Sequence, residues 1–162
     1  RNSLNEFFDN GNVYEFNEAD FPVISQLKKG IGIVVRFEDN IIGETFHVTT
    51  DRTFLLNFRN MLLYIMKKSS KRQLHDIYHE LSFNIFLTHN LRTVKKFDEL
   101  DLSEYGIFIQ QLEKTACRFP EKSGKTNQEI LRELIEKTGG KSDNSSDSGF
   151  LVFSFDADKI TV

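Results

Sequence analysis

Toward its C-terminal end the chain carries Phe150–Phe155, FLVFSF. A short apolar run with this aromatic content reads as a strand buried in a core. A core strand that comes last must be returned to a sheet built from earlier residues. The whole length, 1–162, is therefore expected to fold as one cooperative domain. The 16 Phe residues supply ample core, because each buried Phe contributes roughly 1.5–3 kcal/mol.

Other elements follow from patterning. Ile31, Ile33, Val35 and Phe37 alternate with Gly32, Val34 and Arg36. Glu38-Asp39-Asn40 supplies turn chemistry, and Ile41–Val48 completes a hairpin. In the second strand Ile42, Glu44, Phe46 and Val48 share a face, so His47 points to the other. Thr50 or Asp51 can cap a helix through Lys68, and Leu74, Ile77, Tyr78, Leu81 and Ile85 recur at helical spacing across Lys71–Leu87. His89–Lys96 reads as a connector, with a short strand as the alternative. Ser103 can cap a helix ending before Pro120, and Thr126 one over Asn127–Lys137 that Gly139-Gly140 stops. The expected architecture is α+β. A small, mainly antiparallel sheet, made of the hairpin at about 31–48 and a strand at about 150–156, is covered by four to five helices. A polar, flexible loop is expected at about 138–149, where KSDNSSDSG has little to bury.

Composition narrows the function classes. With 21 basic and 24 acidic residues the net charge is -3, which gives no global pull toward nucleic acid or an anionic membrane. The single Cys117 allows no internal disulfide, and a reducing, cytoplasmic setting is expected. The longest apolar segment, Phe54–Met66, is interrupted by Asn57, Arg59 and Asn60 and falls short of the roughly 20 residues of a spanning helix. No signal peptide is expected from the first residues, RNSLNEFFDNG.

The segment Arg72–His79, RQLHDIYH, is the richest in chemistry-bearing side chains. It reads first as the polar stripe of an amphipathic helix. Arg72, His75, His79 and Ser82 would then lie along one face, with Asp76 in reach of Arg72. Two resemblances overlie that reading. Arg72 and His79 resemble the R-x4-6-H motif of HEPN-type ribonucleases, which implies metal-independent RNA cleavage. His79 would handle protons and Arg72 would stabilise phosphate charge. His75 and His79 resemble the zincin pattern HExxH, with Asp76 in place of the glutamate base. That implies a metallo-hydrolase needing a third ligand from His89, Glu80 or His47.

Asp156 and Asp158 follow the terminal strand and resemble the first motif of haloacid-dehalogenase-type phosphatases, where paired carboxylates hold a divalent cation. They read first as a solvated turn after a core strand. Gly124-Lys125-Thr126 imitates the end of a P-loop, but Phe119 stands where its first glycine belongs. Lys67, Lys68, Lys71 and Arg72 form a basic cluster without the interleaved aromatics of a base-stacking surface. Cys117 reads as a packing residue.

No catalytic set is complete, and no metal or cofactor is expected. The reading that remains is a non-enzymatic protein-interaction domain of adaptor, regulatory or immunity type. It would contact another protein or a second copy through the broad apolar surface of Phe54–Met66.

Overall fold

A computed structural model describes residues 19, 29–47, 53–68, 77–140 and 149–161. Six strands and two α-helices occur among them: β1 (Gly30–Phe37), β2 (Asn40–His47), α1 (Phe54–Lys68), β3 (Leu81–Thr93), β4 (Gly106–Gln111), β5 (Lys114–Arg118), α2 (Asn127–Lys137) and β6 (Phe150–Thr161). Hydrogen bonding orders the strands β2-β1-β3-β6-β4-β5. This corrects the α+β expectation of a small sheet under four to five helices: among the described residues the fold is mostly strand, with two α-helices. The chain divides into two compact units, Arg1–Leu87 with Lys159–Val162, and Thr88–Asp158.

Strand replaces helix at two places, over the last part of one expected helix, whose residues 71–76 lie outside the described residues, and over the helix expected from Ser103. Leu81 and Ile85 lie in β3, not in a helix over Lys71–Leu87, and the segment read as a connector from His89 is the second half of that strand. Residues four apart share a face at period 2 as well as at period 3.6, so the spacing of Leu81 and Ile85 could not separate the two. Phe83, Ile85, Phe86 and Thr88 are the β-favouring residues that decide it. The helix expected from Ser103 is the β4–β5 hairpin. Ser103 does not cap a helix: its amide and hydroxyl donate to Asp101 Oδ1 at 2.9 and 2.7 Å. These bonds hold the Asp101 carboxyl below the usual aspartate range.

In the first unit β1 and β2 pair antiparallel as expected, and Glu38 takes the left-handed conformation (φ 52°) that a tight hairpin turn needs. Ile31, Ile33 and Val35 meet Met61, Leu62 and Ile65 of α1 in one core cluster. Val35 pairs with Gly43, but Arg36 pairs with Ile41, so Ile42 is the extra residue of a bulge. Gly43 lies under α1: a Cβ there would overlap the Ile65 side chain. His47 is exposed opposite Ile31.

In the second unit β4 pairs with β5 on one side and β6 on the other. Successive side chains point to opposite faces. One face carries Ile107, Ile109, Ala116 and Val152, which pack with Ile130, Leu134 and Ile135 of α2. The other carries Phe108, Cys117, Phe153, Phe155 and Leu151. Phe155, 1% exposed, is paired with Gly106, and a Cβ at Gly106 would overlap its ring. Phe119 packs edge-on to it at 6.0 Å.

The expected helix over Asn127–Lys137 is α2, with Thr126 as its N-cap. The Thr126 amide and hydroxyl donate to Glu129 Oε2 at 2.7 and 2.8 Å. Asn127 Nδ2 donates to the carbonyls of Leu100 at 2.8 Å and Phe97 at 3.0 Å, which ties the start of α2 to the 3-10 turn Phe97–Glu99. The terminal strand is present and runs on to Thr161. Of the loop expected at about 138–149, residues 141–148 lie outside the described residues.

Two predictions follow from this packing. Gly106→Ala lowers stability by about 1–3 kcal/mol in denaturant titrations, and a Phe155→Leu background removes part of that penalty by clearing the ring. Amide and hydroxyl donation from Thr126, first the amide, sets the Glu129 carboxyl below the usual glutamate range. Its contribution is therefore complete above the ordinary glutamate pKa and fades as pH falls through the lowered one. NMR titration of Glu129 reads the low midpoint. Thr126→Ala raises that midpoint and costs about 1 kcal/mol.

Candidate functional site

The face of β6 that packs beneath α2 at Val152 becomes polar as the strand continues. Ser154, Asp156 and Asp158 follow at alternate positions and share that face. Asp156 and Asp158 are thus strand residues, not a turn after a strand.

Side chains of β3 converge on them. Asn90 Nδ2 and Arg92 Nη2 both donate to Asp156 Oδ2, at 2.6 and 2.8 Å. The Arg92 guanidinium also lies 6.0 Å from the centre of the Tyr105 ring, within cation–π range. His89 Nδ1 stands 3.8 Å from Asp158 Oδ2, beyond hydrogen-bond distance. That nitrogen is buried without a hydrogen-bond partner.

His89 and Asn90 are consecutive, and in a regular strand they would point to opposite faces. Both nevertheless approach carboxylates that lie on one face of β6. The cause is the backbone of Asn90, which is left-handed at φ 53°. Such a residue inside a strand breaks the alternation, as a bulge does, and Asn tolerates this conformation better than most residues.

The electrostatics favour a closed ion-pair network over a cation site. One oxygen of Asp156 already serves two donors, and Arg92 neutralises its charge. Among the described residues no group of three His, Cys, Asp or Glu side chains is placed to hold a metal ion.

No protein-family model matches the chain. No curated protein matches it either. Among solved structures, the uncharacterised protein PH0010 from Pyrococcus horikoshii superposes with a TM-score of 0.80 and 14% sequence identity, over 99% of this chain and 86% of that one. At that identity the likeness concerns the fold alone, and it shows that a natural protein adopts this arrangement of strands.

Of the residues singled out in the sequence, Arg72 and His75 lie outside the described residues. His79 is exposed in the 3-10 turn Tyr78–Glu80 that leads into β3. Glu80 is exposed beside it, and Cys117 is buried in β5 rather than in a helix. Phe54–Met66 forms most of α1. Leu55, Met61, Leu62 and Ile65 are buried, and Leu56 and Tyr64 are left exposed on its outer side. Among the described residues no helix is long and apolar enough to cross a membrane. The partners of Asp156 went unread because residues 89–92 carried no strand signature stronger than a connector.

The site makes a stability prediction. A double-mutant cycle on Arg92→Gln and Asp156→Asn returns a coupling below about 1 kcal/mol that shrinks in high salt, because the pair is partly exposed. Asn90→Gly is tolerated. Asn90→Val costs about 1–3 kcal/mol, because a β-branched residue resists positive φ. Denaturant midpoints measure all of these.

Proposed function

We propose that this chain is a non-enzymatic protein-interaction domain, of adaptor, regulatory or immunity type, acting in the cytoplasm. Supporting the location is the buried Cys117, the single cysteine of the sequence, which allows no internal disulfide. The observation that carries the function is Leu112. It sits in the two-residue turn between β4 and β5, is 87% exposed, and holds a left-handed backbone at φ 54°.

Both properties are unfavourable for a leucine. An exposed side chain forgoes its burial energy, and left-handed backbone strain costs of order 1 kcal/mol or more in a residue other than glycine. A hairpin tip selected only for folding would carry Gly or Asn. Beside it Leu151, 55% exposed, stands opposite Gln110 on the neighbouring strand. Leu151 continues the aromatic face of Phe153 and Phe155 out into solvent. An exposed apolar tip at the same end of the strands as an exposed apolar edge of the sheet is the kind of surface a partner covers.

This surface replaces α1 as the principal contact, because α1 turns most of its apolar residues into the core of the first unit. Leu112→Gly should keep or raise the melting temperature by relieving the strained turn. The same substitution, and Leu151→Asp more strongly, should weaken partner binding at least about tenfold, the equivalent of 1.4 kcal/mol. Calorimetry with the partner identified by cross-linking in cells measures this. Full binding by the Leu112→Gly, Leu151→Asp double variant would remove the reading.

A further inference from the structure

The turn at Leu112 stands on the end of α2. Gln111 and Lys114 are the pair that closes it, and both lie on the sheet face that α2 covers at Ile109. The Thr138 hydroxyl is shared between two acceptors, the Ile135 carbonyl at 2.7 Å and Gln111 Oε1 at 3.0 Å. Thr138 is the C-cap of α2 and is buried. Gly139 follows it in the left-handed conformation, at φ 77°, and turns the chain off the helix. A Cβ on Gly140 would lie 2.8 Å from Gln111 Oε1, and one on Gly139 would lie 2.8 Å from Lys114 Nζ. Both residues that close the turn therefore meet residues 138–140. Gln111 is held by a hydrogen bond, and the Lys114 ammonium stands beside the end of the helix, where a cation is favoured.

The turn has a less strained alternative. A two-residue hairpin turn requires positive φ, and Leu112 bears that strain. Opening the single pair Gln111–Lys114 would leave a four-residue loop, which is commonly built on a type I turn with negative φ. Lys114 is exposed on the strand that ends the sheet order, so little burial opposes the opening. We propose that the end of α2 is a clamp on this turn, with Thr138 as the positioning residue. By holding Gln111 and standing beside Lys114, it keeps the pair closed and Leu112 in its strained, outward form. This deepens the reading of Leu112 as a contact surface and rests on it: Thr138 sets the presentation of that contact from beneath, without touching a partner.

The two closing residues play different parts. The Gln111 backbone is paired on both sides, with Lys114 and with Phe150 of β6, so it is the fixed point. Thr138 hangs the end of α2 on that point, and the end of α2 then faces Lys114, the residue free to leave. Gln110, which alternates to the other sheet face, donates from Nε2 to the Leu112 carbonyl at 3.3 Å and steadies the turn from that side. Such a clamp couples turn and helix end in both directions. Cutting it loses a hydrogen bond but lets the turn shed its strain, and the second effect offsets part of the first. With glycine at position 112 there is no strain to shed, so the same cut costs more.

A left-handed residue brings its own amide and α protons close together, so the intraresidue nuclear Overhauser cross-peak of Leu112 reports the turn in the full chain with no partner present. In Thr138→Val, which keeps shape and removes the hydroxyl, that cross-peak is expected to lose about half its intensity or more, because strain of this size favours the relaxed loop about fivefold once nothing opposes it. Thr138→Ser keeps the hydroxyl and the cross-peak. Gln111→Met cuts the link from the other end, leaves the Thr138–Ile135 bond in place, and weakens the cross-peak as Thr138→Val does. Denaturant midpoints complete a double-mutant cycle: Thr138→Val lowers the midpoint further in a Leu112→Gly background than in the parent. A Leu112 cross-peak unchanged in both Thr138→Val and Gln111→Met, equal loss in Thr138→Ser and Thr138→Val, or strict additivity in the cycle would each overturn the clamp. A cross-peak that falls in Thr138→Val while partner binding stays whole would uphold the clamp and remove Leu112 as the contact, so the two readings fail separately.

Discussion

The second unit is organised around Phe155 lying where Gly106 has no side chain. The ring occupies the space a Cβ would take, packs edge-on to Phe119, and is buried almost completely. A central strand with an aromatic on one side and a glycine directly across has a single comfortable register. Sliding β6 by one residue would put Ser154 over the glycine and leave Phe155 facing α2. The other pairs on β4 and β6, Phe108 with Phe153 and Ile109 with Val152, inherit their positions from that fit. So does the polar row at Ser154, Asp156 and Asp158.

The two faces of β4–β6 have different fates because they meet different neighbours. The aliphatic face is covered by α2, which Thr126 starts and Asn127 ties to the carbonyls of Phe97 and Leu100. The aromatic face runs the other way along the strands, past Leu151, toward the turn at Leu112. Antiparallel sheets commonly keep one face polar. Here both faces are apolar, and the excess surfaces at the hairpin tip.

Much of this was legible in the sequence wherever a residue pattern had one structural meaning. The alternation from Ile31 to Phe37, Thr126 as a cap before the stripe of Asn127–Lys137 and the apolar run at Phe150 each led to the element observed. Reading failed where one pattern had two meanings. Leu81 and Ile85 satisfy helix and strand alike. Residues 103–119 hid a hairpin because its turn is made by Leu112 and Glu113, neither of which is a turn residue. The candidate site was half visible. Asp156 and Asp158 stood out as paired carboxylates, but Asn90 and Arg92 reach Asp156 only through strand pairing across more than sixty positions of sequence.

Asn90 sets the phase of β3. Before it, the strand keeps one correspondence between odd and even positions and the two faces; after it, that correspondence is exchanged. Arg92 reaches Asp156 only because the exchange has taken place. For such a residue, backbone conformation matters more than the contact its side chain makes. A residue at position 90 that returned to negative φ would restore a regular pleat and turn every later side chain of the strand over, whereas removing the position outright would leave them on the faces they hold. The position is therefore open to Gly, Asn and Asp and closed to β-branched residues.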